Sequence, residues 1–151
     1  MNIHIGSDHA GLELKNALVQ YLKSKGHNVT DHGPHEYDAL DDYPDFCIPA
    51  AIATVKDAGS LGIVLGGSGN GEQIAANKVT GVRAALAWSV ETAQLAKEHN
   101  NANVVGIGGR MHSIDECKVI IDAFIETPFT NDERHVRRIN KISTFENTSN
   151  Q

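Results

Sequence analysis

Leu61-Gly62-Ile63-Val64-Leu65-Gly66-Gly67-Ser68-Gly69-Asn70-Gly71-Glu72 is the stretch on which the fold turns. Residues 61–65 are a short apolar run, as expected for a strand buried on both faces of a parallel sheet. Four glycines crowd the next six residues, and a short helix is predicted over 70–78. Glycines at a strand-to-helix turn let backbone N–H groups converge, and such a nest at a helix N-terminus suits an anion. The loop is not a Walker loop, because no Gly-Lys-Ser/Thr follows, and its spacing is not GxGxxG.

The same alternation extends in both directions. Upstream, Ile3-His4-Ile5 reads as a strand, residues 10–25 as a helix stopped by Gly26, 28–31 as a weak strand and 44–57 as a helix. Pro44 suits that helix's first turn and Pro49 is a candidate kink. Downstream, 82–88 is a strand, 90–99 a helix, 104–107 a strand, 114–125 a helix and 131–146 a last, basic helix. From about Thr144 the polar tail reads as frayed.

Alternating strands and helices imply a Rossmann-like three-layer α/β sandwich, with a five-stranded parallel sheet flanked by helices. The expected strand order is 2-1-3-4-5. Ligands in such sheets bind beyond the carboxyl ends of the strands, between strands 1 and 3. Unusual polar residues should therefore follow those two strands. They do: Gly6-Ser7-Asp8-His9-Ala10-Gly11 ends the first, and the glycine loop with Glu72 ends the third. Ser7 or Asp8 could simply cap the first helix. His9 is harder to explain as a cap. An acid in a helix's first turn is ordinary, but Glu72 adjoins a nest where negative charge could develop, which is where a base would be useful. Arg110 follows strand 5. Arg134 and Arg138 share a face of the last helix beside His135, and paired guanidinium donors suit phosphate.

Composition narrows the function classes. The chain has 151 residues, a one-domain length, with 40% hydrophobic and 21% charged residues. A net charge of −6 disfavours a general nucleic-acid binder. No apolar run approaches the ~18 residues of a membrane span, and the N-terminus lacks the pattern of a secretory signal. Cys47 and Cys117 are too few for a disulfide scaffold and stand in no metal-ligand spacing, so a cytoplasmic chain with reduced thiols is expected. Residues 36–45 carry five acids and no base, a run read as a solvated face. Neither it nor His9 and His99 has metal-binding spacing, so no metal is expected.

Taken together, Gly6–Gly11, Asp42-Tyr43-Pro44, Gly69–Lys78, Glu98-His99-Asn100, Gly106–Arg110 and Arg134-His135 resemble the ribose-5-phosphate isomerase B family. This group of sugar-phosphate isomerases also includes the galactose-6-phosphate isomerase subunits. The resemblance spans roughly residues 2–143. One branch of the family carries a cysteine base at the position of Gly66; Gly66 with Glu72 resembles the glutamate branch. The resemblance implies interconversion of ribose 5-phosphate and ribulose 5-phosphate through a cis-enediolate, in the pentose phosphate pathway, without cofactor. It implies Glu72 as the base and His99 as the acid that opens the furanose. Substrate contacts would come from Asp8, His9, Tyr43, Gly67, Ser68, Gly69, Asn70, Gly71, Asn100, Arg110, Arg134, His135 and Arg138. It further implies one isomerase domain over 1–151 in a homodimer or tetramer, with sites shared between subunits and the last helix packing on a partner.

Two rivals fit less well. A non-catalytic sugar-phosphate sensor would not need Glu72 or His99. A dinucleotide-dependent oxidoreductase would want glycines where Asp8 and His9 stand.

Overall fold

The computed structural model describes residues 1–148. Its elements run β1 (Asn2–Ser7), a 3-10 turn (His9–Gly11), α1 (Leu12–Ser24), β2 (Asn28–Asp31), α2 (Pro44–Lys56) and β3 (Leu61–Gly66). Then come α3 (Asn70–Ala76), β4 (Ala84–Leu86), α4 (Val90–Asn100), β5 (Val104–Gly108), α5 (Ile114–Glu126) and α6 (Glu133–Thr148). Each predicted element is present, with ends shifted by a few residues. The expected fraying from Thr144 is corrected, since α6 continues through Thr148. Ser149, Asn150 and Gln151 lie outside the described residues.

All five strands pair in parallel, in the order β2-β1-β3-β5-β4. The sequence order 2-1-3-4-5 is thus corrected at its last two strands. The reason lies in burial. All five residues of β5 are buried, whereas β4 has three residues and only Ala84 is buried. A short, half-covered strand suits a sheet edge.

Period-two alternation along the inner strands divides the core in two. Ile63, Leu65, Val105 and Ile107 face a layer that includes Leu14, Leu18, Ala93, Ala96, Ile121 and Phe124, from α1, α4 and α5. Val64 and Val104 face the other way, onto Cys47 and Ala51 of α2 and Ala76 of α3. The helices are set by local chemistry as well as burial. Ser89 and Thr92 form a capping box on α4, and Ser113 and Glu116 form one on α5; such caps contribute about 1 kcal/mol each. Lys15 is fully buried on α1 and ion-paired to Asp31 at 2.5 Å. This pair ties the end of β2 to α1.

The last helix sits apart from the layers. His135 of α6 stacks on His99 of α4, and Glu146 accepts the Gly81 N–H at 3.2 Å. Ile142 and Phe145 on α6 are 52% and 70% exposed. Among the described residues, no helix is long and apolar enough to cross a membrane.

Candidate active site

The carboxyl ends of β1, β3 and β5 lie side by side, with Ser7 paired to Leu65 and Gly66 to Gly108. The chain reverses direction across the sheet between β1 and β3, so their ends splay into a crevice. A cavity of about 500 Å³ opens there, lined by Asp8, His9, Tyr43, Gly67, Ser68, Gly71, Glu72 and Arg110, with Ala10 and Met111. Gly69 and Asn70 belong to the same loop, and the Asn70 side chain donates to Ser68 Oγ at 3.2 Å.

Each wall has a local cause. Asp8 caps the 3-10 turn, accepting from Ala10 N at 2.9 Å and Gly11 N at 3.3 Å through one oxygen. Asp8 thus caps the 3-10 turn that leads into α1, not α1 itself, whose N-cap Gly11 has no side-chain bond, and Asp8 also lines the cavity. Gly69 has φ +82°, a left-handed conformation that L side chains rarely adopt. It also lies where a side chain would run into Leu86 and the β5 backbone. Glycine here turns the chain sharply from β3 into α3. Arg110 is anchored by its own N–H to Gly67 O at 3.1 Å and lies over that glycine.

Glu72 is the more deeply buried of the two acids lining the cavity, 4% exposed against 8% for Asp8, and its Oε2 is enclosed without a hydrogen-bond partner. Its carboxyl fills the space that a side chain at position 66 would occupy. Burial raises its pKa, and the nearby Asp8 charge adds to this, while backbone N–H groups of Glu72 and Gly69 pull the other way. The result is a carboxylate that is a stronger base than a solvated one.

Sequence reasoning missed Asp41. It lies in the 36–45 acidic run read as a solvated face, yet its side chain is only 8% exposed. Its Oδ1 accepts from His9 Nδ1 at 2.6 Å and from the His9 backbone N–H at 2.9 Å. The one available signal was the uncapped His9, whose ring needed a partner. Ligating atoms of Asp8, His9 and Asp41 lie within 4.8 Å of one another. Hydrogen bonds within the turn and between His9 and Asp41 account for that convergence.

The remaining expected residues lie elsewhere in the chain. His99 and Asn100 end α4, which runs back to the amino edge of the sheet. There Arg83, just before β4, donates to the Asn100 carbonyl at 2.9 Å. Arg134 and Arg138 are exposed on α6, and His135 is buried between α6 and α4, its ring 4.4 Å from that of His99. A single chain therefore holds two groups of expected site residues, one at each edge of the sheet.

Cys47 and Cys117 are fully buried in the core and form no disulfide. Burial pushes the Cys47 thiol well up and that of Cys117 up to about 11. Iodoacetamide applied to the native protein is expected to leave activity unchanged. Intact mass should show no adduct until the chain is denatured.

The model of the Ribose/Galactose Isomerase family matches residues 3–142. The chain belongs to the ribose/galactose isomerase family. Within that family it is 60% identical over 148 residues to ribose-5-phosphate isomerase B of Mycobacterium leprae, covering 98% of this chain and 91% of that protein. The crystal structure of ribose-5-phosphate isomerase B from Mycoplasma genitalium with bound ribulose-5-phosphate superposes with a TM-score of 0.93. It is 45% identical, with 97% of each chain covered. The Clostridium thermocellum ribose-5-phosphate isomerase B structure gives 0.94, at 39% identity and 99% coverage of each chain. This isomerase family membership fits a crevice that offers a buried base beside groups for an anionic ligand.

Proposed function

We propose that the protein is a ribose-5-phosphate isomerase, interconverting D-ribose 5-phosphate and D-ribulose 5-phosphate. The observation that carries this reading is the buried Glu72 carboxyl, with an unpartnered oxygen, in a cavity shared with His9 and Arg110. With the sugar open, Glu72 takes the proton from C2 and the C2–H electrons form the enediolate double bond. The C1 carbonyl becomes an oxyanion. Backbone N–H groups around Gly67–Gly71 stabilise that charge, a role worth about 3–4 kcal/mol per donor in comparable sites. Glu72 then delivers its proton to C1, a hydroxyl proton passes from O2 to O1, and the ketose results. No metal or redox cofactor enters these steps. Asp8 and Tyr43 border the sugar, and His9 and Arg110 face the phosphate.

The chain acts as one isomerase domain in a homo-oligomer. His99 of the partner subunit protonates the ring oxygen, beside the partner subunit's Asn100. Arg134, His135 and Arg138 complete the phosphate end, again across the interface. The separation of the two residue groups and the partly exposed apolar residues of α6 support this arrangement. The buried unpaired thiols fit a reducing compartment, and we place the reaction in the cytoplasm.

The direct test is an isomerase assay that follows ribulose 5-phosphate formation from ribose 5-phosphate. Absence of turnover with that substrate would defeat the proposal. Site sharing has its own test. Glu72→Gln and His99→Asn are each expected to be inactive alone. After denaturation and refolding at equal amounts, about a quarter of parental activity should return, because half of random dimers carry one intact site. No recovery would mean that each chain builds its own site.

A further inference from the structure

We propose that Asp41 is the positioning residue that holds His9 by Nδ1 and so presents its Nε2–H as a donor to the anionic end of the ligand. This rests on the proposed reading of the cavity as a sugar-phosphate site. A carboxylate only accepts hydrogen bonds, so a 2.6 Å contact to Asp41 Oδ1 places a proton on Nδ1. The same oxygen accepts the His9 backbone N–H at 2.9 Å, which fixes side chain and main chain together. Nδ1 is thereby occupied, and Nε2 is the ring nitrogen left for a ligand. In the neutral ring Nε2 would be a lone pair facing a phosphate, which is repulsive. In the imidazolium it is a charged donor, which phosphate favours.

A second observation points the same way. Asp41 Oδ2 is buried with no hydrogen-bond partner, so the charge of this carboxylate is poorly satisfied except by His9. The surroundings of His9 are mixed. Asp8 at the end of β1 and Asp41 favour its charge, Arg110 after β5 opposes it, and the Tyr37 ring meets it edge-on at 5.9 Å. Glu13 of α1 shares a neighbouring hollow, and Glu72 and Tyr43 line the same cavity. The hydrogen bond to Asp41 is the largest influence, and the His9 pKa is raised. Ligand affinity due to the imidazolium is therefore present below that raised pKa and is lost as pH climbs through it.

Asp41→Asn separates charge from position, because the amide oxygen can still accept both N–H groups. The probes are the His9 ring signal in NMR titration and calorimetric binding of inorganic phosphate, neither of which needs turnover. In the variant the His9 midpoint should fall toward the ordinary value of about 6.5. Phosphate affinity should drop about tenfold at pH 8, the usual worth of one hydrogen bond to a charged group, and little at pH 6, where the ring is protonated in either protein. Asp41→Glu, which keeps the charge, should recover most of the affinity at pH 8. Superimposable pH profiles for parent and Asp41→Asn would overturn the proposal. So would an equal loss at both pH values, the mark of a merely structural role. Failure of the isomerase reading would appear instead as absent turnover of ribose 5-phosphate with these titrations intact.

Discussion

Glu72→Gln is expected to keep the fold and ligand binding while lowering kcat by ~10²–10⁴-fold, the usual contribution of a positioned general base. The amide is nearly isosteric but has no lone pair basic enough to take a carbon-bound proton. Stability supplies the control. The folded-state pKa of Glu72 is raised by burial, so the native state binds its proton more tightly than the unfolded chain does. Its contribution to stability is therefore largest at low pH and is lost as pH rises through the folded value. Removing that buried charge should leave the variant at least as heat-resistant as the parent near neutral pH. A thermal melt and a turnover assay on the same sample separate the two effects. A kcat above about a tenth of the parent's would exclude Glu72 as the base. In the parent, kcat/KM should fall on the acid side as Glu72 is protonated, at a pH above the ordinary glutamate value of about 4.3. It should fall again on the alkaline side as His9 loses its proton.

Gly66→Ala should be nearly as damaging, although it adds only one methyl group and removes no reacting group. That methyl would stand where the Glu72 carboxyl now lies. The cheapest relief is for the Glu72 side chain to swing away, since its end is more flexible than the β3 backbone. The base would survive chemically but in the wrong place, and displacement of about 1 Å can cost ~10²-fold in rate. The loss should appear in kcat, with circular dichroism unchanged. A Gly66→Ala protein with normal kcat would show that the present position of the carboxyl is not the working one.

The legibility of these features in the sequence varied for physical reasons. The run 61–72 announces a buried strand, a turn and a helix, because burial on both faces and glycine turns are local properties. Strand neighbours are not local. β4 and β5 are both short and apolar, and no pattern in either names its partner, so their order was inverted. The β5 residues Val104–Gly108 are apolar throughout, and that was the available hint that this strand lies inside. Glu72 and Arg110 were readable because they follow closely on the ends of β3 and β5 at the expected crevice. Asp41 was not, because five acids in ten residues look alike until the loop folds and one of them meets His9. His99 and Asn100 stood in a recognisable motif, yet their distance from Glu72 follows from the direction of α4, which periodicity does not reveal.

Positions 66 and 72 also constrain how such a site can evolve. They are six residues apart in the chain but compete for one volume, with room for a single reactive side chain. A lineage cannot move its base from one position to the other by single substitutions that each preserve activity. A side chain gained first at 66 displaces the carboxylate, and a smaller residue gained first at 72 leaves no base. An exchange of base between these two positions therefore passes through an inactive intermediate, and needs coincident changes or a spare gene copy relieved of selection.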